Sequence, residues 1–121
     1  MIGNWRCWSL AAEETKDSLE TVQERIVDEQ AVLVDVREKW EWNSGQVSET
    51  VCLTLSGLRN AIKADSLAQR IPKEKIVDTH CVVGKRAVTA AEILKKHDYD
   101  VRSLKTGYKD LLRAGFKQAA H

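Results

Sequence analysis

The stretch Cys81-Val-Val-Gly84-Lys85-Arg86 puts a thiol, a glycine and two cations within six residues. An apolar run, Lys75-Ile-Val-Asp-Thr-His80, leads into it. A segment from Arg86 to His97 leaves it, with Ala87, Ala90, Ala91 and Leu94 at helical spacing. A loop turning from a strand into a helix points several backbone N–H groups inward, and the positive helix end reinforces them, so this order of elements makes an anion cradle. Gly84 supplies backbone freedom for the turn, and Lys85 and Arg86 add positive charge. A cysteine in such a cradle is expected to have a depressed pKa and to act as a thiolate nucleophile without a neighbouring base. The competing reading is a small hydrophobic cysteine buried at a strand end; the glycine, the cations and the junction together weigh against it.

The elements around this loop read as alternating helices and strands. Thr15 or Asp17 is expected to cap a first helix whose Leu19, Val22, Ile26 and Val27 share a face. Ala31 to Val36 is a short, almost wholly apolar run that suits a strand covered on both faces. Glu38 to Ser44 reads as a short helix ended by Gly45, and Val51 to Leu55 as a second buried strand. Residues 57–70 read as one or two helices, restarted at Asp65-Ser66. A third strand runs from Lys75 to His80, a fourth from Val101 to Leu104, and a last helix from Gly107 to Arg113 with Tyr108, Leu111 and Leu112 inward. Such alternation implies an α/β domain with a largely parallel sheet, whose sites form at the carboxyl ends of strands. Cys81 falls at such an end. Asn4 to Leu10 is a candidate edge strand.

At 121 residues the chain is one domain's worth, and no repeat or linker divides it. It is 43% hydrophobic and 31% charged, with 19 basic and 18 acidic residues and a net charge of +1. No global field draws it to nucleic acid or to membranes, and no apolar run is long enough to span one. The first residues do not read as a secretory signal. Three cysteines, Cys7, Cys52 and Cys81, make neither a disulfide framework nor a zinc pattern. They suit a reducing compartment, so a cytoplasmic protein is expected. No two histidines have ligand spacing, so no metal and no cofactor is implied; His97 and His121 read as surface residues. His80 adjoins Cys81, but strand side chains alternate, which points it away. Cys52 reads as core and Cys7 as exposed, with a resolving thiol as its less favoured role. Of the four tryptophans, Trp5, Trp8 and Trp40 are read chiefly as packing residues, with a partner surface as the alternative.

Cys-x-x-Gly-x-Arg between a strand and a helix resembles the active-site loop of the single-domain rhodaneses, the thiosulfate sulfurtransferases. Val34-Asp35-Val36-Arg37-Glu38-x-x-Glu41-Trp42-x-x-Gly45 is similar to that family's other signature, and Tyr99-Asp-Val-Arg-x-Leu104-x-x-Gly107-Tyr108 resembles its closing strand and last helix. The resemblance covers roughly residues 14–117, with 1–13 as an extension or edge strand. It implies a rhodanese-like α/β domain with about five mostly parallel strands and helices on both faces. It also implies a sulfurtransferase that moves sulfane sulfur from thiosulfate, or from a persulfide donor, through a Cys81 persulfide to cyanide or a thiol. In that reading Val82, Val83, Gly84, Lys85 and Arg86 bind the substrate, and Lys85 and Arg86 attract the anionic donor. Asp35 and Arg37 form a supporting ion pair, and Trp42 takes the place of a core aromatic. A protein sulfur acceptor is a further possible partner.

The family's histidine, prolines and Gly-Ala pair are absent after Gly45, where Gln46-Val-Ser-Glu49-Thr50 stands, and Thr54 replaces another proline. One wall of the site is therefore expected to be reshaped. Asp78 lies mid-strand, where a lone carboxylate should find a partner or reach water. Two rival functions follow. One is a rhodanese-like binding module without turnover. The less favoured one is a cysteine-dependent phosphatase or arsenate reductase, suggested by His80-Cys81; phosphatase loops, however, carry their arginine one residue later, in a ring wide enough for phosphate.

Overall fold

The computed structural model describes residues 14–82 and 85–119. Six helices, α1 (Leu19–Val27), α2 (Lys39–Ser44), α3 (Leu55–Lys63), α4 (Leu67–Arg70), α5 (Lys85–Lys96) and α6 (Tyr108–Arg113), alternate with four strands. The strands are β1 (Ala31–Asp35), β2 (Val51–Cys52), β3 (Ile76–His80) and β4 (Val101–Ser103). All pairings between them are parallel, in the order β2-β1-β3-β4. The described residues thus hold four strands where about five were expected. A single parallel bridge from Glu14 to Ser103 adds to the β4 edge, and the candidate edge strand at Asn4 to Leu10 lies outside the described residues.

Alternation along the strands splits the core into two layers. Val34, Val36, Val77 and Val101 pack with Leu58 and Ala61 of α3, Leu67 of α4, and Ala87, Ala90, Ala91 and Leu94 of α5. Leu33 and Leu104 pack on the other side with Val22 of α1, Leu111 of α6 and Phe116. Helices therefore cover both faces, and the expected alanine stripe of α5 is fully buried. The chain leaves β1 to one side for β2, then returns past it to β3. Between the carboxyl ends of β1 and β3 lies the crevice where parallel sheets place their sites.

Four local expectations are corrected. Ser18, not Thr15 or Asp17, caps α1: its Oγ accepts from the Thr21 N–H at 3.1 Å. Asp17 instead pairs with Arg25 (2.8 Å) and Arg102 (2.9 Å), which hold its carboxyl down at about 2. Val27, one residue past the inward face, is 75% exposed. The second strand spans only Val51–Cys52, because Thr54 is used as the N-cap of α3, accepting from the Gly57 N–H at 3.0 Å. Leu55 is helical, and Cys52 is half-buried rather than core.

Among the described residues Asp78 neither finds a partner nor reaches water. It is fully buried, and neither carboxylate oxygen has a hydrogen bond to them. Its cross-strand neighbour Arg102 turns to Asp17 and Asp100 instead. Burial pushes the Asp78 carboxyl up to about 6 despite nearby Arg102 and Arg25. Two residues on, buried His80 is pushed down to about 4 by the same loss of solvent.

The two shifts oppose each other. The raised Asp78 pKa stabilises the fold at low pH, and that contribution is lost as pH rises toward 6; the lowered His80 pKa costs stability as pH falls from 6.5 toward 4. Asp78→Asn removes only the first effect. Relative to the parent, the variant is expected to be unchanged near pH 4 and more stable by about 3 kcal/mol near pH 7, from roughly 1.4 kcal/mol per pKa unit over the rise to about 6. Urea unfolding at both pH values checks this; a difference independent of pH would contradict it.

Candidate active site

Cys81 follows β3 directly, at the crevice beside β1. Alternation separates it from its neighbour. His80 lies opposite Asp35, with Nε2 3.7 Å from Oδ2, whereas Cys81 joins the Val34 and Val77 layer. His80 therefore faces away from the thiol, as the strand pattern implies. Cys81 is 1% exposed, so the sulfur lies beneath the loop rather than at an open mouth. Lys85 and Arg86 open α5, Lys85 exposed and Arg86 half-buried. Val82 is 50% exposed. Val83 and Gly84, between them, lie outside the described residues.

Of the two cations expected to meet an anionic donor, Arg86 is already engaged. Arg86 Nη1 donates to Glu41 Oε1 at 2.7 Å and Nη2 to Oε2 at 3.2 Å. The Glu41 carboxyl is lowered chiefly by this arginine, and Arg86 is raised chiefly by Glu41, with smaller help from the Cys81 sulfur. Glu41 also accepts from the Glu38 N–H at 2.9 Å in a capping box that fixes the start of α2. Sequence reasoning gave Glu41 no role; its place three residues after Glu38 in the first signature was the available signal.

Asp35 and Arg37 form a tight buried pair. The Arg37 N–H and Nε donate to Asp35 Oδ1 at 2.9 and 3.1 Å, and Nη2 donates to Oδ2 at 2.9 Å. Nη2 also donates to the Gly45 carbonyl at 2.8 Å, and the guanidinium lies 4.4 Å from the centre of the Tyr108 ring. One side chain thus ties the end of β1 to the turn after α2 and to the start of α6. Gly45 has a φ of +146°, and a Cβ there would strike the Tyr108 hydroxyl.

Gly107, the second residue that sequence reasoning left without a role, backs the loop. A Cβ on it would lie 3.1 Å from the Cys81 carbonyl oxygen and closer still to that of Val82. The requirement is space, not φ, which is −87°. The turn at Gln46 to Thr50 is held by the end of the chain: Ser48 N–H donates to the Lys117 carbonyl, Ala119 N–H to that of Gln46, and Val47 bridges Gln118. Cys52 Sγ donates to Gln46 Oε1 at 2.7 Å, and burial pushes this thiol up.

In front of Val82 and Gly107 lies a cleft of about 490 Å³, walled by Trp40 and Tyr108. Trp40 is 71% exposed, so the packing role expected for it is wrong; it borders this cleft instead. Trp42 is the partly buried member of the pair, its Nε1 without a hydrogen bond among the described residues. Trp5, Trp8 and Cys7 lie outside the described residues. A second recess, of about 300 Å³, is bordered by Arg86, Arg59 and Ser56. Among the described residues no group of His, Cys, Asp and Glu is arranged to hold a metal ion, and no helix is long and apolar enough to cross a membrane.

A thiol at the switch point of a small parallel α/β sheet, followed four residues on by a cationic helix start, defines a cysteine-centred α/β domain. The Rhodanese-like domain model matches residues 18–114, and the chain belongs to that family. Its fold is similar to the human single-domain sulfurtransferase TSTD1 (TM-score 0.69, 23% identity, 80% of this chain and 94% of that one). A rhodanese-related protein from Thermoplasma volcanium matches with a TM-score of 0.69 and 20% identity over 85% of this chain and 95% of that one. The single-domain sulfurtransferase RDL2 of Saccharomyces cerevisiae matches with a TM-score of 0.62 and 18% identity over 84% and 94%. No curated protein sequence matches the chain.

Arg37→Ala leaves Asp35 buried without its counter-charge. The expected cost is about 3–5 kcal/mol, the usual penalty for breaking a buried ion pair from one side, read from urea unfolding at pH 7. Gly107→Ala is expected to fold but to displace Val82, visible as shifted Cys81 and Val82 amide resonances; unchanged resonances would contradict the close approach.

Proposed function

We propose that the protein is a sulfurtransferase that carries sulfane sulfur on Cys81. The observation that carries this reading is the placement of the thiol, at the end of β3 and four residues before the cationic start of α5, in a chain of the Rhodanese-like family. That TSTD1 and RDL2, two proteins of similar fold, are single-domain sulfurtransferases supports it.

In the proposed reaction the Cys81 thiolate attacks the outer sulfur of thiosulfate or of another sulfane donor. The S–S bond of the donor breaks, its electron pair leaves with sulfite, and Cys81 becomes a persulfide. Cyanide or a thiolate then attacks the outer sulfur, and the Cys81 thiolate is regenerated. The N–H groups of residues 82–86 are assigned to hold the anionic sulfur in both states. With Arg86 bound by Glu41, attraction of the anionic donor falls mainly on exposed Lys85 and on the start of α5. Asp35 and Arg37 support the loop indirectly, through the turn after α2 and through Tyr108. A cytoplasmic, reducing setting fits a protein that works through a thiol.

One observation favours a second reading, a binding module without turnover: Cys81 is 1% exposed. Mass spectrometry separates the two. After incubation with thiosulfate and removal of excess donor, the intact protein should gain one sulfur atom, and Cys81→Ala should gain none. Cyanide should then release thiocyanate from the parent and return its mass to the starting value. A folded parent that gains no sulfur from thiosulfate or from an organic persulfide would establish the binding reading instead.

A further inference from the structure

The 490 Å³ cleft is organic in character, although its inner end touches the loop proposed to handle small sulfur anions. Trp40 and Val82, two of the three large apolar side chains left most exposed among the described residues, both border it. Most of its charges are already engaged. Glu41 is bound to Arg86, Arg37 to Asp35, and Asp110 to Arg113 at 3.0 Å. The last pair is exposed and loose, of the kind that contributes little. Lys109 makes no ion pair among the described residues. The outer wall, on α6, therefore carries one net positive charge, facing an apolar inner wall of Trp40 and Val82.

Apolar walls add nothing to the binding of cyanide or of a small dianion such as thiosulfate. They add to the binding of an organic body. The outer sulfur of a Cys81 persulfide lies about 2 Å beyond Sγ, one S–S bond length. Val82, the next residue, is where the cleft begins. We propose that this cleft seats the sulfur acceptor, and that the acceptor is an organic thiol with an aromatic or aliphatic body and a single carboxylate directed at Lys109. The proposal rests on Cys81 as the sulfur carrier. The transfer is balanced: the acceptor thiolate attacks the outer sulfur, the Cys81 S–S bond breaks, its electron pair returns to Cys81 as thiolate, and the acceptor leaves as its persulfide. Sulfane sulfur changes hands with no net oxidation or reduction.

The probe is 4-(mercaptomethyl)benzoate, compared with its neutral parent phenylmethanethiol, its 4-aminomethyl counterpart, and the small hydrophilic thiol 2-mercaptoethanesulfonate. Protein loaded on Cys81 is mixed with each, and loss of the extra sulfur is followed by mass. The carboxylate probe should unload Cys81 about tenfold faster than 2-mercaptoethanesulfonate at equal thiolate concentration, the scale set by one buried aromatic contact. Trp40→Ala should erase that advantage and Trp40→Phe keep most of it. Lys109→Glu should reverse the preference, so that the aminomethyl thiol becomes the better acceptor. Trp40 is mostly exposed, so its loss leaves the core intact. Rates that follow thiolate concentration alone, unmoved by Trp40→Ala, would overturn the proposal. The unreactive thioether 4-(methylthiomethyl)benzoate tests the seat without chemistry. Calorimetric binding that weakens about tenfold in Trp40→Ala supports the cleft even if Cys81 never loads, which would sink the sulfurtransferase reading alone. No binding to the parent would overturn the seat even if sulfur transfer proceeds.

Discussion

The arrangement around Cys81 depends on one guanidinium. Arg37 binds both carboxylate oxygens of Asp35, the carbonyl of Gly45 and the face of Tyr108. Those contacts reach the end of β1, the turn closing α2, and the first residue of α6. Each segment then does something for the site. The end of β1 forms one side of the crevice beside β3. α2 carries Glu41 to Arg86 and holds Trp40 out toward solvent. Gly107, next to Tyr108, lets the chain before α6 lie against the Cys81 and Val82 backbone. In water such an ion pair would be worth little. Here both partners are buried, so neither can leave the other without a large desolvation cost. The burial makes the geometry stiff.

The charges of the site are largely used up in building it. Arg86 is bound to Glu41 and Arg37 to Asp35, while exposed Lys85 and Lys109 make no ion pair among the described residues. A site held this way has less field for a dianion than its sequence suggests, and relatively more apolar surface at its entrance. The thiol itself is covered. A persulfide lengthens the side chain by one sulfur and moves the reacting atom outward, so the second half of the proposed reaction meets less steric resistance than the first.

Much of the architecture was legible because it rests on local periodicity. The alanine stripe of α5, the apolar run of β1 and the position of Cys81 at a strand end all follow from side-chain spacing, and all appear where the spacing puts them. What was not legible depends on which of two local uses a residue is given. Thr54 could extend a strand or cap a helix; it caps, and β2 shrinks to two residues. Trp40 could pack or protrude, and one position along α2 decides which. Asp78 was expected to find a partner or reach water, but its cross-strand neighbour Arg102 is taken by Asp17 and burial keeps water out. Glu41 and Gly107 act across 45 residues of chain and across a backbone contact respectively. No single-segment pattern carries such information, although both residues stood inside quoted signatures.

The central claim is that Cys81 is the reactive sulfur although it is covered, and that Cys52, half-exposed and pushed up by burial, is not. Iodoacetamide labelling of the native protein at pH 7, quantified thiol by thiol after proteolysis, tests it most directly. The account predicts that Cys81 is alkylated faster than Cys52, and that prior loading with thiosulfate protects Cys81 in a way cyanide reverses. Rapid labelling of Cys52, with Cys81 protected until the fold is unfolded by urea, would contradict it.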